Sequence, residues 1–210
     1  MDILFARHGN TFGPGDRVVW VGRETDLPLV ARGEEQAREA AGALERCGLV
    51  PGVIYSGTLK RTRGFAGIVA EALGGVQHII DPRLDEVDYG SWAGKTSEEI
   101  AAQPGGPAAL EAWQKQDIWP ETAGWGSSKA AVLADLGAFL RDLVAATPVR
   151  PLVVSSNGIL RFAPRLLNPA VDGISYQLKT GALGAVRGNV MAGWDVLYWN
   201  RAPGDLISDT

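Results

Sequence analysis

Short apolar runs, each closed by a polar turn, punctuate the first eighty positions and recur at 151–155. Residues 2–6 (DILFA) end at Arg7-His8-Gly9 and predict a buried strand. From 10 to 26 the periodicity fades, glycine is frequent and Pro14 interrupts, which predicts a long loop. Positions 32–47 place Ala37, Ala40, Ala41 and Leu44 at helical spacing, with Gly48 as the stop. A second strand is predicted over 52–56 (GVIYS). A second helix follows over 59–73, with Phe65, Ile68, Val69 and Ala72 on one face, then a third strand over 76–80.

The alternation breaks between 84 and 128, a mixed stretch holding Trp92, Trp113, Trp119 and Trp125 and two short helical segments. It reads as an insertion at about 91–127 over one end of the sheet, within a single domain spanning 1–210. Ser127 or Ser128 can cap a long helix reaching about 146, with Val132, Leu136, Phe139, Leu140 and Leu143 as its apolar stripe. A strand at 151–155, a helix starting near Asn157, and two β-prone segments at 175–186 and 194–199 complete the chain. Strands alternating with helices predict an α/β fold, three-layer α/β/α with a mostly parallel central sheet.

Bulk properties narrow the function classes. The 210 residues suit one domain, with 46% hydrophobic and 21% charged residues, as in ordinary globular proteins. No apolar run approaches the roughly 20 residues a bilayer span needs. The N-terminus does not read as a signal peptide. The single cysteine, Cys47, excludes an internal disulfide or a multi-cysteine metal site and reads as a structural thiol. A cytoplasmic setting is expected, with no membrane partner. A net charge of −4 argues against general nucleic-acid binding, while a local arginine cluster still permits a small anionic ligand.

Three strand ends carry candidate chemistry. Arg7-His8-Gly9 sets a guanidinium fork and an imidazole beside a glycine that lets a ligand approach the backbone. Ser56 to Arg61 (SGTLKR) crosses from a strand to a helix N-terminus, where free amides attract anions. Arg61 in that first turn is unfavourable unless an anion offsets it; the bland alternative is a surface ion pair. Leu84 to Trp92 (LDEVDYGSW) is an acidic loop among bulky apolar residues, suited to raising a carboxyl pKa. Asp85, Glu86 and Asp88 are rival acids by composition.

In this order, the stretches resemble the histidine phosphatase superfamily, the phosphoglycerate-mutase-like proteins. RHG at 7–9, TDLPLVARGEEQA at 25–37, YSGTLKRTRGFA at 55–66, LDEVDYGSWAGKTSEEI at 84–100 and VVSSNGILR at 153–161 are each similar to a family segment, and the resemblance is weakest over about 102–126. It implies that His8 is a nucleophile forming a phosphohistidine, that Arg7 and Arg61 clamp the phosphoryl oxygens, and that Glu86 is the general acid and base. It implies no metal and no cofactor. The expected substrate is a small phosphorylated molecule, bound by a monomer or homodimer.

The pattern breaks at one turn. Where the family carries histidine then glycine, this chain has Ser156 and Asn157. His78 cannot substitute, lying inside the third strand. Losing one preorganised donor of this kind costs about 100- to 1,000-fold, or roughly 3–4 kcal/mol. Ser156, Asn157 and the following helix amides are candidate replacement contacts, or simple helix caps. Asn10 is a further candidate phosphate contact, the loop through Val18 to Val21 can lid the site or pack on the sheet edge, and Arg23 reads as a surface residue. The leading reading is a metal-independent phosphomonoester hydrolase acting through His8, weakened at the 156 turn. The alternative is a degenerate phospho-ligand-binding protein. A mutase ranks lower because the insertion is short, and a dinucleotide-binding module lacks its glycine signature.

Overall fold

The computed structural model describes residues 1–146, 150–169, 175–189 and 191–207. In chain order these form β1 (Asp2–Arg7), α1 (Ala31–Arg46), β2 (Val53–Ser56), α2 (Lys60–Ala72), β3 (His78–Ile80), α3 (Ser97–Ala101) and α4 (Gly106–Gln116). Then follow α5 (Lys129–Ala146), β4 (Pro151–Ser155), α6 (Asn157–Leu160), α7 (Ala163–Leu167), β5 (Leu183–Asn189) and β6 (Gly193–Arg201).

The strands make one sheet in the order β3-β2-β4-β1-β5-β6. The pairings β3·β2, β2·β4 and β4·β1 are parallel, while β5 and β6 are antiparallel additions. Alternation along the parallel strands feeds two cores. Leu4, Ala6, Ile54, Leu152 and Val154 face α1 and α2, through Ala37, Ala40, Leu44, Phe65 and Val69. Ile3, Phe5 and Val153 face the opposite layer, where α5 contributes Leu136, Phe139, Leu140 and Leu143. The three-layer α/β/α expectation therefore holds, as does the predicted stripe of α1.

Two expectations shift. The face of α2 is rotated: Ala66 and Ala70 are buried beside Phe65 and Val69, while Ala72 is exposed. Strand β5 begins at Leu183, later than the predicted 175, because the preceding backbone serves side chains instead of a ladder. The Leu178 carbonyl accepts from Arg7, its amide donates to Asn157 Oδ1, and the Lys179 amide donates to Asn200 Oδ1. Ser128 Oγ accepts from the Ala131 amide at the start of α5, whereas Ser127 Oγ accepts from the Asp88 amide.

The topology sets where a ligand can bind. The loop after β1 leads to α1 on one face of the sheet, and the turn after the adjacent β4 leads to α6, whose Ile159 and Leu160 belong to the other core. Neighbouring strands whose loops part to opposite faces leave a crevice at their carboxyl ends. Register aligns Arg7 with Ser155, and the His8 amide donates to the Ser155 carbonyl at 3.1 Å.

The loop is pinned to α1 by a close backbone approach of Gly9 and Gly33. A Cβ on Gly9 would press into the Gly33 carbonyl, and one on Gly33 into the Asn10 carbonyl. Gly9 thus makes room for the chain itself, where the sequence suggested room for a ligand. Gly9→Ala is expected to destabilise the protein by about 1–3 kcal/mol, read as a lower urea midpoint with an unchanged m-value.

Candidate active site

A cavity of about 680 Å³ opens at the carboxyl ends of β1 and β4. It is lined by Arg7, His8, Asn10, Arg61, Glu86 and Asn157, which the sequence spreads over 150 positions. Ser156 does not line it: the residue is fully buried and its Oγ has no hydrogen-bond partner. Neither Ser156 nor Asn157 caps α6 with its side chain.

His8 sits 6% exposed at the end of β1. Its Nδ1 lies 2.7 Å from the Gly9 carbonyl, which can only accept, so Nδ1 carries the proton. Nε2 is left with its lone pair and, among the described residues, without a protein partner. Burial lowers the imidazole pKa well below its ordinary value, and the charges of Arg7 and Arg61 push it further down. The ring is neutral at pH 7.

The two guanidiniums are held by carbonyls, not carboxylates. Arg7 Nη1 donates to Leu178 O at 2.8 Å, while its Nε is buried without a partner. Arg61 is 1% exposed and donates to Thr25 O at 3.0 Å and Gly22 O at 3.1 Å. Its first-turn position is therefore no surface ion pair. The anions that offset the start of α2 are the protein's own: Asp26 accepts from the Lys60 amide at 2.6 Å, and Asp85 from the Thr58 amide at 2.6 Å.

Of the three rival acids only Glu86 lines the cavity. Asp85 is occupied by Thr58, and Asp88 accepts from the Gly90 amide. Glu86 accepts from the Val87 amide at 2.9 Å and the Gly158 amide at 3.4 Å. Burial nevertheless dominates and raises its pKa above the ordinary carboxyl range. Gly158 is required here, because a Cβ would collide with the Glu86 carboxylate and the Tyr89 hydroxyl.

The two asparagines present their donors. Asn10 Oδ1 accepts from Thr180 Oγ1 at 2.6 Å and Asn157 Oδ1 from the Leu178 amide at 2.8 Å, so both NH₂ groups are without a protein partner. The loop forms one wall of the cavity with Val18, Val19, Trp20 and Val21. Trp20 packs edge-on against Tyr89 and Trp92, each at 5.1 Å. The 91–127 segment adds Ser97, Trp113 and Gln114 to the lining, while Arg23 is exposed on the surface. His78 is engaged with Ser56 Oγ at 2.8 Å in β3.

Arg161 and Tyr89 also line the cavity, and nothing in the pattern of the sequence singles them out. Both lie inside motifs that carry resemblance, but their burial against the insertion is a tertiary fact. Among the described residues no three His, Cys, Asp or Glu side chains gather to hold a metal, and no helix is long and apolar enough to cross a membrane.

The sequence profile of the histidine phosphatase superfamily (branch 1) matches residues 3–200. The chain belongs to that superfamily. Among its superfamily relatives is the probable phosphoglycerate mutase GpmB of Enterobacter sp. (strain 638), 37% identical over 90 residues that cover 43% of this chain and only 40% of that protein. The glucosyl-3-phosphoglycerate phosphatase of Mycobacterium tuberculosis (strain H37Rv) is 29% identical over 96% of this chain and 87% of its own length. The solved mycobacterial glucosyl-3-phosphoglycerate phosphatase superposes with a TM-score of 0.78 at 25% identity, covering 96% of this chain and 99% of that one. Superfamily membership with phosphatase relatives supports a phosphatase activity.

Burying a neutral imidazole has a pH signature. Because the folded pKa of His8 is depressed, the unfolded chain takes up its proton first as pH falls below about 6.5, and stability is lost on the way down. Glu86, with a raised folded pKa, acts in the opposite sense and favours folding below the ordinary carboxyl pKa. Urea unfolding between pH 7 and 5 is expected to show the wild type losing stability relative to His8→Gln as the pH drops.

Proposed function

We propose that this chain hydrolyses phosphomonoesters through a phosphohistidine formed on His8. The observation that carries this reading is the fixed tautomer: Nδ1 donates to Gly9 O, so Nε2 keeps its lone pair at a cavity shared with the guanidiniums of Arg7 and Arg61. Nε2 attacks phosphorus as the bond to the leaving oxygen breaks. Arg7 and Arg61 hold the non-bridging oxygens and offset the charge that spreads over them, with no metal in the step. The NH₂ groups of Asn10 and Asn157 add neutral donors.

Glu86 gives its proton to the leaving oxygen, so the product departs as an alcohol. A water then attacks phosphorus and Glu86 takes its proton. The P–N bond breaks with its electrons returning to Nε2, and inorganic phosphate leaves. Through both steps Nδ1–H stays on the Gly9 carbonyl, which stabilises positive charge on the phosphorylated ring. The substrate class is a small phosphomonoester, and the loop and insertion walls select the alcohol portion.

The neutral, buried Ser156 favours a second reading, a protein that binds a phosphorylated ligand without turnover. Hydrolysis of p-nitrophenyl phosphate without added metal separates the two. On the first reading the wild type turns over and His8→Ala loses more than about 10³-fold. A wild type that binds inorganic phosphate but is silent, and that gains turnover in Ser156→His, establishes the second. Leaving-group dependence tests the acid. Read as kcat/KM, which covers only the steps through departure of the alcohol, Glu86→Gln is expected to cost about 10²- to 10⁴-fold on an alkyl phosphate and much less on the nitrophenyl ester, whose phenolate departs unprotonated.

A further inference from the structure

The stretch 153–161 ends in a charged residue that the chemistry above leaves unused. Arg161 is 2% exposed and lines the cavity just after the single turn of α6. Its Nε donates to Asn157 O at 3.2 Å, and its Nη1 to Trp113 O at 2.7 Å and Asp117 Oδ1 at 3.2 Å. The guanidinium carbon lies 3.8 Å from the centroid of the Trp113 ring. Three of the five N–H groups are therefore engaged, through Nε and Nη1, and among the described residues Nη2 has no protein partner. Asp117 does not serve Arg161 alone. Its carboxylate also accepts from Arg165 at 2.7 Å, the Ser175 hydroxyl at 2.8 Å and the Tyr176 amide at 3.4 Å. One negative charge is thus divided between two guanidiniums. The Arg161 charge acts on Glu86 and Tyr89 and repels that of Arg7, which places it within electrostatic range of the phosphoryl end.

We infer that Arg161 is a third guanidinium on the phosphoryl group, supplying from the end of α6 the positive charge that an imidazole at position 156 would supply from its start. The inference rests on the phosphomonoester reading of the cavity. A buried fork held by three hydrogen bonds and stacked on an indole cannot follow substrates of different shape, but it can hold one donor in place for an oxyanion. Arg32, the other arginine on the lining to which the proposed chemistry gives no role, is half-exposed and already paired with Glu35 and Glu39. Arg161 is the better placed of the two.

The test measures inorganic phosphate, which has no alcohol portion. Its affinity is read by calorimetry and as a competitive Ki for wild type, Arg161→Gln and Arg161→Lys, with thermal melts on each. Asp117 keeps Arg165, Ser175 and Tyr176 in these variants, so the fold is expected to hold. Arg161→Gln is expected to weaken phosphate about 10- to 100-fold, with Arg161→Lys losing less. Unchanged phosphate affinity in Arg161→Gln overturns the inference, as does a loss confined to the KM of bulky esters, which would assign Arg161 to the alcohol portion. Calorimetry in the His8→Ala background needs no turnover. Failure of the hydrolase reading and failure of the Arg161 assignment are therefore read separately.

Discussion

The hydrogen bond from the His8 amide to the Ser155 carbonyl fixes the geometry on which the site depends. It extends the parallel ladder of β1 and β4 one residue beyond the strands, so two turns 147 positions apart in sequence leave the sheet side by side. One turn then heads for α1 and the other for α6, on opposite faces. The space between them is the crevice, and the groups that fill it sit at strand ends and helix starts, not on mobile tips. His8, Arg61 and Glu86 are buried as a consequence. Burial is what leaves the imidazole neutral and the Glu86 carboxyl protonated beyond its usual range. The same desolvation thus disfavours the charged form of both groups, removing a proton from the imidazole and retaining one on the carboxyl.

Holding Arg7 and Arg61 in this environment by carbonyl oxygens has a chemical meaning. A carboxylate partner would cancel their charge, whereas a carbonyl satisfies the N–H groups and leaves the charge available to a ligand. The carboxylates near the start of α2, Asp26 and Asp85, are turned instead onto backbone amides. The carboxylates Asp26 and Asp85 thus cap the helix start, and no carboxylate among the described residues hydrogen-bonds Arg7 or Arg61, although the Glu86 charge acts on both.

Much of this was legible in the sequence, for reasons that are local. Periodicity identified the helices and strands because each buries one face, as with Ala37, Ala40, Ala41 and Leu44. The motif order picked out residues that now line one cavity. What escaped is what depends on distant partners. Nothing in 175–186 reveals that its backbone would be claimed by Arg7, Asn157 and Asn200, so the strand was expected too early. Ser156 and Asn157 look like caps, yet Asn157 Oδ1 accepts from the Leu178 amide, and the Ser156 hydroxyl is sealed from the cavity lining. Arg161 stood in plain view at the end of a motif, but its burial follows from where α4 places Trp113 and Asp117.

The indoles of the insertion form a connected array. Trp113 touches Trp119 and Trp125 edge-on, Trp125 touches Trp92, and Trp92 touches Trp20 on the loop. A permanent cation lies 3.8 Å from the centroid of one member. Spectroscopically, that arrangement is a chromophore in a strong local field, coupled to its neighbours by energy transfer over contact distances. Trp113 lines the cavity, so a negative charge placed there would alter the field at its ring. The protein's own ultraviolet emission would then respond to charge in the cavity, requiring neither label nor turnover.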